Sequence, residues 1–580
     1  MRQQQWKLKE VDPDKKNMLV HTLGIHPVTA QVLCARGVEN ERDVAMYLGG
    51  KLSDLLDPFL MQDMKQAVER IFVAFEKKEK VLIHGDYDVD GLTSAALLAD
   101  FFRNIQMEAY YYIPDRFTDG YGISERSIDK ALELGSTIMI TVDCGVNAHE
   151  AIAQARQRGV DVIVVDHHEI KTHIPQCAAV LNPKRNDCQY PFKDLAAVGV
   201  AFKLIHAFLK EARKRNLAWE RFVDLKDYLE IAAIGTVADM VPLRGENKIL
   251  VKYGLERLAG TQREGLKALL ELCQLTNRKV NAGDIAYRIA PRMNATGRMG
   301  DALDSIDLML TKDAAKARLL AQSLDDKNRE RQTAEREIVE EATRMIKEKS
   351  SLQDDWILVI EKENWSIGIV GIVAARMMRR FHRPAFVLSK GEKVSKGSAR
   401  SYPFFPLHEM LKSCEDLFES YGGHACAAGL TIANELVPEF RERINKIAKS
   451  RMTLEDLNPV INIDCELYSD DINNRLFEEL KMLEPHGQEN PVPVFLLRKL
   501  RLMREPYYVG QDHVKMQFQV NNKSFNAIAF GWKKMFEEES QHEKKFSKLS
   551  WDTVFEFNEN QYGGIVQQQL QVRDLSYECF

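Results

Sequence analysis

The chain has 580 residues, 45% of them hydrophobic and 28% charged, with a net charge of −5 at neutral pH. This length makes a multidomain protein with several cores, and the charge excludes a uniformly basic nucleic-acid binder, so contact with a polyanion must come from local positive strips. Nine scattered cysteines with no CxxC pair exclude a disulfide frame and a zinc site, and with no apolar leader and no run of about 18 apolar residues the expectation is a cytoplasmic protein without a membrane partner.

Residues 1–60 are polar and helix-prone, and His26 to Val38 reads as a small helix-turn-helix pair that serves as a packing extension. Residues 61–245 read as an α/β domain. The apolar run Val81-Leu82-Ile83 ends in His84-Gly85-Asp86-Tyr87-Asp88-Val89-Asp90, which sets three carboxylates and an imidazole within seven residues. A helix follows from Thr93 to about Phe102. The run Ala109–Ile113 ends in a polar turn containing Arg116. The run Thr137–Val142 ends in Asp143, a crossover helix spans Asn147–Arg158, and the run Val162–Val165 ends in Asp166-His167-His168. A small-residue helix from Ala232 ends at Asp239. In such sheets ligands bind just beyond the carboxyl ends of the strands, and carboxylates packed this densely repel one another unless a cation neutralises them. Three strand ends carrying Asp or His therefore point to a divalent-metal site.

Residues 246–350 are helical. Thr311 to about Lys349 lacks Gly and Pro, and as one helix it reaches roughly 55 Å, enough to join two lobes. A second α/β lobe, 351–458, begins with the strand Trp356–Ile360, then a helix Ile369–Arg379 and a strand Ala385–Leu388. Its Gly-rich segments, Lys396–Ser401 with Ser398 and Arg400, and Gly422-Gly423-His424, bring glycines that let backbone amides approach a phosphate, with Arg400 and His424 to neutralise it. Residues 459–580 break into short alternating runs (494–497, 516–520, 526–530, 553–557 and 565–572) that predict half-buried antiparallel strands and an OB-type barrel. Between Val494 and Lys534 eight Lys/Arg face one Glu and one Asp. Tyr507, Tyr508, Phe518 and Phe525 interleave with them, the composition of a single-strand platform. Phe518 alternates with Met516 and Val520 and is expected to point inward, which leaves Tyr507 and Tyr508 for stacking.

Asp166-His167-His168 is the motif that names the DHH phosphoesterase superfamily, and His84-x3-Asp88-x-Asp90, Asp143 and Asp239 resemble its other metal motifs in order. The strings HGDYDVDGLTS, IPDRFTDGYG, TVDCG, GTVADMVPL and APRMNATGR resemble the RecJ-like branch of single-strand-specific 5′ exonucleases, and GGHACAAG resembles the DHH-associated domain. The resemblance covers nearly the whole chain beyond residue ~50. It implies two α/β lobes joined by a long helix plus an OB barrel. It also implies hydrolysis of single-stranded DNA from the 5′ end to 5′ mononucleotides, in recombination and repair. The ligands it implies are Asp88, Asp90, Asp143, His167 and Asp239, with His84 or Asp86 added, and Asp166 and His168 act beside them. This oxygen-rich set suits two Mn²⁺ or Mg²⁺ ions. Arg116 is placed near the 5′ phosphate, and Arg292, Asn294 and Arg298 near the backbone. Ser398, Arg400, Gly422, Gly423 and His424 would grip the strand, although Ala399 stands where the family often has Gly. A helicase and a single-strand binding protein are implied as partners of a monomer.

Overall fold

The structure is a computed structural model that describes residues 4–115, 122–299, 302–349, 354–540, 546–562 and 565–579. The chain forms two compact units, residues 51–457 and a second made from residues 1–50 together with 458–580.

The larger unit begins with a five-stranded parallel sheet: β1 (Lys80–Gly85), β2 (Ala109–Tyr112), β3 (Ser136–Val142), β4 (Asp161–Val165) and β5 (Ala179–Leu181), in the order 2-1-3-4-5. The middle strands are buried on both faces, as their continuous Val/Ile runs require. Helices α1 (Val89–Asn104) and α2 (Ala197–Lys214) pack on one face with the helix Met64–Lys77 beside them, α3 (Leu229–Ala238) lies on α1 and α2, and all share its principal core. The crossover helices Glu125–Glu133 and His149–Gln157 cover the other face. The strand order reverses between β1 and β3, which opens a crevice at their carboxyl ends.

A five-residue π-helical turn (Ile285–Ile289) leads into α4 (Ala290–Met299). The long helix α5 spans Ala314–Glu348, 35 residues, or about 52 Å. Ala317, Ala321 and Leu324 near its start belong to the core of the first lobe, and Ile338, Val339, Ala342 and Ile346 near its end to the core of the second. One rigid element is thus packed into both.

The second lobe has strands β6 (Leu358–Glu363), β7 (Ala385–Lys390), β8 (Val394–Arg400), β9 (Phe418–Gly423) and β10 (Ala427–Ala433), in the order 9-10-8-7-6, with α6 (Ile367–Phe381) packed on them. Only the β6–β7 pair is parallel. The Gly-rich segment Lys396–Arg400 forms the body of β8. A Cβ on Gly397 would stand 2.2 Å from the Val387 carbonyl oxygen, so this glycine serves close approach to β7.

In the smaller unit, β11 (Phe495–Leu502), β13 (His513–Val520), β14 (Lys523–Phe530), β15 (Leu549–Tyr562) and β16 (Ile565–Cys579) close in the order 11-15-16-14-13-11, with β12 (Tyr507–Val509) on the outer edge of β13. Closure removes the open edges of the sheet. Asn521, at φ 52°, turns β13 into β14. The strand Gln5–Leu8 pairs with Val460–Ile463, and Leu19, Val28 and Leu33 of the first helices pack into the barrel's own core. The N-terminal helices therefore pack as part of this unit's core.

Candidate metal centre

The acidic turn after β1 is held by its own backbone. Asp88 caps α1, its Oδ1 accepting from the amides of Asp90 at 2.9 Å and Gly91 at 3.2 Å. Gly91 must lack a Cβ, which would lie 2.6 Å from the backbone of Asp86. Asp90 in the first turn of α1 is buried, and its two oxygens accept from Ala197 N at 2.6 Å and Val198 N at 2.8 Å. Those are the first amides of α2, whose own cap residue is an alanine, so a carboxylate 107 positions away does the capping. At the end of β3, Asp143 is buried at φ 61°, a left-handed conformation costly for a residue with a Cβ. At the end of β4, Asp166 accepts from the amides of His167 (2.7 Å), His168 (3.1 Å) and Val146 (3.0 Å) and meets His168 Nδ1 at 2.8 Å. Asn182, in the turn after β5, donates to the His168 carbonyl at 2.8 Å. Asp239 is the C-cap of α3.

These ends converge. His167 Nε2 lies 3.2 Å from Asp143 Oδ1, 3.6 Å from Asp239 Oδ2 and 3.9 Å from Asp90 Oδ2. Two groups with donor atoms within 4.8 Å of one another result, Asp90–His167–Asp239 and Asp86–Asp88–Asp143. Asp143 also joins His167 and His168 in a third, so its carboxylate stands where the two groups meet. His84 enters none of them; fully buried, it packs against Tyr112 with Nδ1 3.6 Å from Cys144 Sγ. Of the two alternatives at this turn, Asp86 is the one grouped with other acids.

Burial raises the Asp90 carboxyl, and Asp88 raises it further, to about 7. Burial, then Asp88 and Asp90, push Asp143 well above the usual carboxylate range, and burial with Asp90 and Asp88 does the same to Asp239. Burial and then His168 push His167 down to about 3, which keeps a neutral imidazole with a lone pair to offer. Burial also acts to raise Asp166, but His168 and the backbone amides outweigh it and leave this carboxyl near 2. The donor set fits a divalent cation well. Carboxylates that destabilise one another are gathered around a neutral imidazole, which is the condition a bound cation relieves.

A cleft of about 1020 Å³ beside this cluster is lined by Asp86, Asp88, His168, Asn294, Arg298 and His424, among others. Asn294 Oδ1 accepts from Val89 N at 3.3 Å, and a Cβ on Gly297 would lie 2.4 Å from the Tyr87 carbonyl oxygen. So α4 lies directly on the acidic turn, and Asn294 holds that turn as well as facing the cleft. Arg298 donates to Gly368 O at 2.7 Å. Arg292 is engaged elsewhere: its Nε donates to Asp325 Oδ1 at 2.8 Å, tying α4 to α5. Gly423, on the cleft with His424, has φ 147°, and a Cβ there would meet Ala427 O at 2.3 Å; Gly422 precedes it in β9. Ser398 and Arg400 lie against Gly371 of α6, and burial pushes the Arg400 guanidinium below its ordinary value. Arg116 lies outside the described residues. Tyr507 and Tyr508, in the smaller unit, are 41% and 43% exposed, with the Arg504 guanidinium 4.9 Å from the first ring and the Lys533 ammonium 5.7 Å from the second. Phe518 is buried, as its alternation requires.

The roles of Asn182 and Gly297 were not drawn from the sequence. The Asn-Pro turn after the strand containing Val180 was a signal for the first; nothing local signals the second.

Three family models match the chain: the DHH family N-terminal domain over residues 80–236, the DHHA1 domain over 354–450 and the RecJ OB domain over 463–574. The single-stranded-DNA-specific exonuclease RecJ of Bacillus subtilis is 38% identical over 90% of this chain, which spans 65% of that protein's length. The RecJ of Dickeya dadantii is 36% identical over 83% of the chain and 85% of its own length. Among solved structures, RecJ from Thermus thermophilus in complex with Mn²⁺ superposes with a TM-score of 0.81 at 28% identity, covering 99% of this chain and 79% of that one. The Mg²⁺ complex gives 0.74 at 27% identity, covering 98% and 78%.

Proposed function

The chain belongs to the RecJ family of single-stranded-DNA-specific exonucleases, and from that premise we propose that it is a metal-dependent hydrolase that removes 5′ mononucleotides from single-stranded DNA. The observation that carries the chemistry is the Asp143 carboxylate, which stands in groups of acid and imidazole donors on either side. Asp86, Asp88 and Asp143 would hold one divalent ion, and Asp90, His167 and Asp239 a second next to it. Mn²⁺ and Mg²⁺ are the ions in the Thermus relatives and suit hard oxygen donors. When bound, two such ions supply Lewis acidity that neutralises phosphoryl oxygens and acidifies an attacking water.

The chain's own residues place the substrate and the ligands. Asp166 orients His168 by its contact with Nδ1, and His168 lines the cleft, where it can donate to a phosphoryl oxygen. Asn182 and Asn294 fix the two loops that carry the ligands. Arg298 and His424 face the same cleft and would bind the backbone beyond the scissile bond. Arg116 is proposed for the 5′ phosphate on the family motif alone. Tyr507 and Tyr508, with Arg504 and Lys533, form an exposed aromatic and basic surface of the smaller unit suited to binding a single strand. No helix among the described residues is long and apolar enough to cross a membrane. A cytoplasmic role in recombination and repair, beside a helicase and a single-strand binding protein, completes the proposal.

A time course on 5′-labelled and internally labelled single strands, with Mn²⁺, Mg²⁺ or chelator, tests this reading. Labelled mononucleotide should appear from the 5′ end at once, vanish with chelator and be absent on blunt duplex. Survival of the DNA while dinucleotides are cleaved would keep the metal site and refute the polymer substrate.

A further inference from the structure

The second lobe carries an aromatic pair and cations that the metal centre does not use. Tyr402 and Phe404 follow β8, with ring centroids 5.3 Å apart and planes 8° apart. The turn that bears them is anchored from within: Phe405 is buried, and Ser401 Oγ donates to its carbonyl at 2.7 Å. Phe404 is nonetheless 44% exposed, a large apolar side chain left partly in solvent. Local packing accounts for Tyr402, whose hydroxyl donates to Met378 O of α6 at 3.1 Å, but not for a phenyl ring turned outward.

The position of the pair along α6 gives it a direction. At the start of the helix, Gly368 accepts from Arg298, a residue on the cleft wall. One turn on, a Cβ at Gly371 would lie 3.2 Å from Arg400 Nη2 and 3.3 Å from Ser398 Oγ. Met378, which holds Tyr402, is two turns further on the same face. From the cleft outward the order is Arg298, then Arg400, then the aromatic pair, over about 15 Å. Arg379 and Arg380 follow Met378 and are exposed. Arg379 is near enough to act electrostatically on the Tyr402 hydroxyl.

We propose that Tyr402 and Phe404 form a base-stacking subsite for the single strand on its way out of the cleft, with Arg400 and Arg379 flanking its phosphates. This rests on the exonuclease reading above. Aromatic faces beside arginines hold successive bases without regard to sequence, and a duplex, whose bases are already stacked, offers no free base to such a pair.

The test uses the full-length protein and a phosphorothioate-linked oligothymidylate carrying one 5-iodouridine at successive distances from the 5′ end. After irradiation, crosslinks to Tyr402 or Phe404 should be confined to one or two adjacent positions. Phe404→Ala should weaken binding of that oligonucleotide, and raise KM for a long natural strand, on the order of 10-fold, with Phe404→Trp restoring both. Crosslinks that map only to other residues, or an F404A protein within twofold of wild type in both measurements, overturn the subsite while leaving the exonuclease intact. A chain that neither binds nor cuts single strands overturns both.

Discussion

Asp143 is held at a positive φ, and burial first, then Asp88 and Asp90, push its carboxyl well above its ordinary range. Its charge costs stability when no cation is present. Asp143→Asn should therefore raise the stability of chelated protein by about 1–3 kcal/mol while lowering turnover on the order of 100-fold or more. Thermal melts in chelator and single-strand hydrolysis measure the two effects, and a D143N protein that is less stable than wild type in chelator would remove the repulsion argument. A second residue sets an acid limit. His206 is pushed down to about 4, first by burial and then by Lys203 and Lys210. Its stabilising contribution is complete above the unfolded value near 6.5 and is lost as pH falls from there to about 4, because the unfolded chain takes the proton first. His206→Gln should flatten that limb by up to about 3 kcal/mol, read from urea melts at stepped pH; an unchanged limb would show that His206 does not titrate in this window.

At the scale of elements, the helix that lies on the acidic turn is the one to perturb. Gly297→Ala places a methyl group 2.4 Å from the Tyr87 carbonyl, and with backbone on the other side the turn must move. Activity should fall at least tenfold with little loss of helical circular dichroism, and wild-type activity in this variant would separate α4 from the metal centre. Core charge is a second element-level feature. Lys203 of α2 is fully buried, 2.5 Å from Glu246, and donates to Leu56 O at 2.8 Å. Lys203→Met leaves Glu246 buried without its cation and should cost about 3–5 kcal/mol in urea unfolding; a cost under 1 kcal/mol would mean that water or another cation reaches Glu246. The acidic cluster was legible in the sequence because a β-strand, its turn and the carboxylates are neighbours in the chain. The strand residues and helix order followed from hydrophobic period for the same reason. What could not be read was pairing across distance: Asp90 capping α2, Asn294 on Val89, and the grouping of Asp86 with Asp88 and Asp143 all depend on the folded positions of separate elements. The glycine of Lys396–Arg400 was legible as a place of close approach, but the backbone it approaches is the neighbouring strand β7, which the sequence alone does not show.

For the whole molecule, the ends of the chain belong together. Trp6 Nε1 donates to Asp574 Oδ2 at 2.8 Å, Lys9 pairs with Asp464 at 2.9 Å, and the first helices share a core with the barrel. Removing residues 458–580 alone would strip Leu19, Val28 and Leu33 of their cover, so a protein ending at 457 should expose apolar surface and aggregate. Residues 51–457, with both ends removed, should stay monodisperse in light scattering and lose affinity for long strands more than for dinucleotides. Aggregation of the doubly trimmed protein, with the singly trimmed one soluble, would contradict this assembly. The sequence divides the two terminal segments by 407 residues and offers no local sign that they meet, which is why an N-terminal extension and a separate barrel were the natural reading.

The central claim is that one carboxylate joins two cation pockets. Electron paramagnetic resonance of the full-length protein titrated with Mn²⁺ tests it most directly. Two equivalents should bind and give the exchange-coupled spectrum of an adjacent pair, and Asp143→Asn should reduce it to the six-line signal of isolated ions or to none. A single uncoupled ion in the wild-type protein, or a coupled pair that survives the loss of the Asp143 charge, would contradict it.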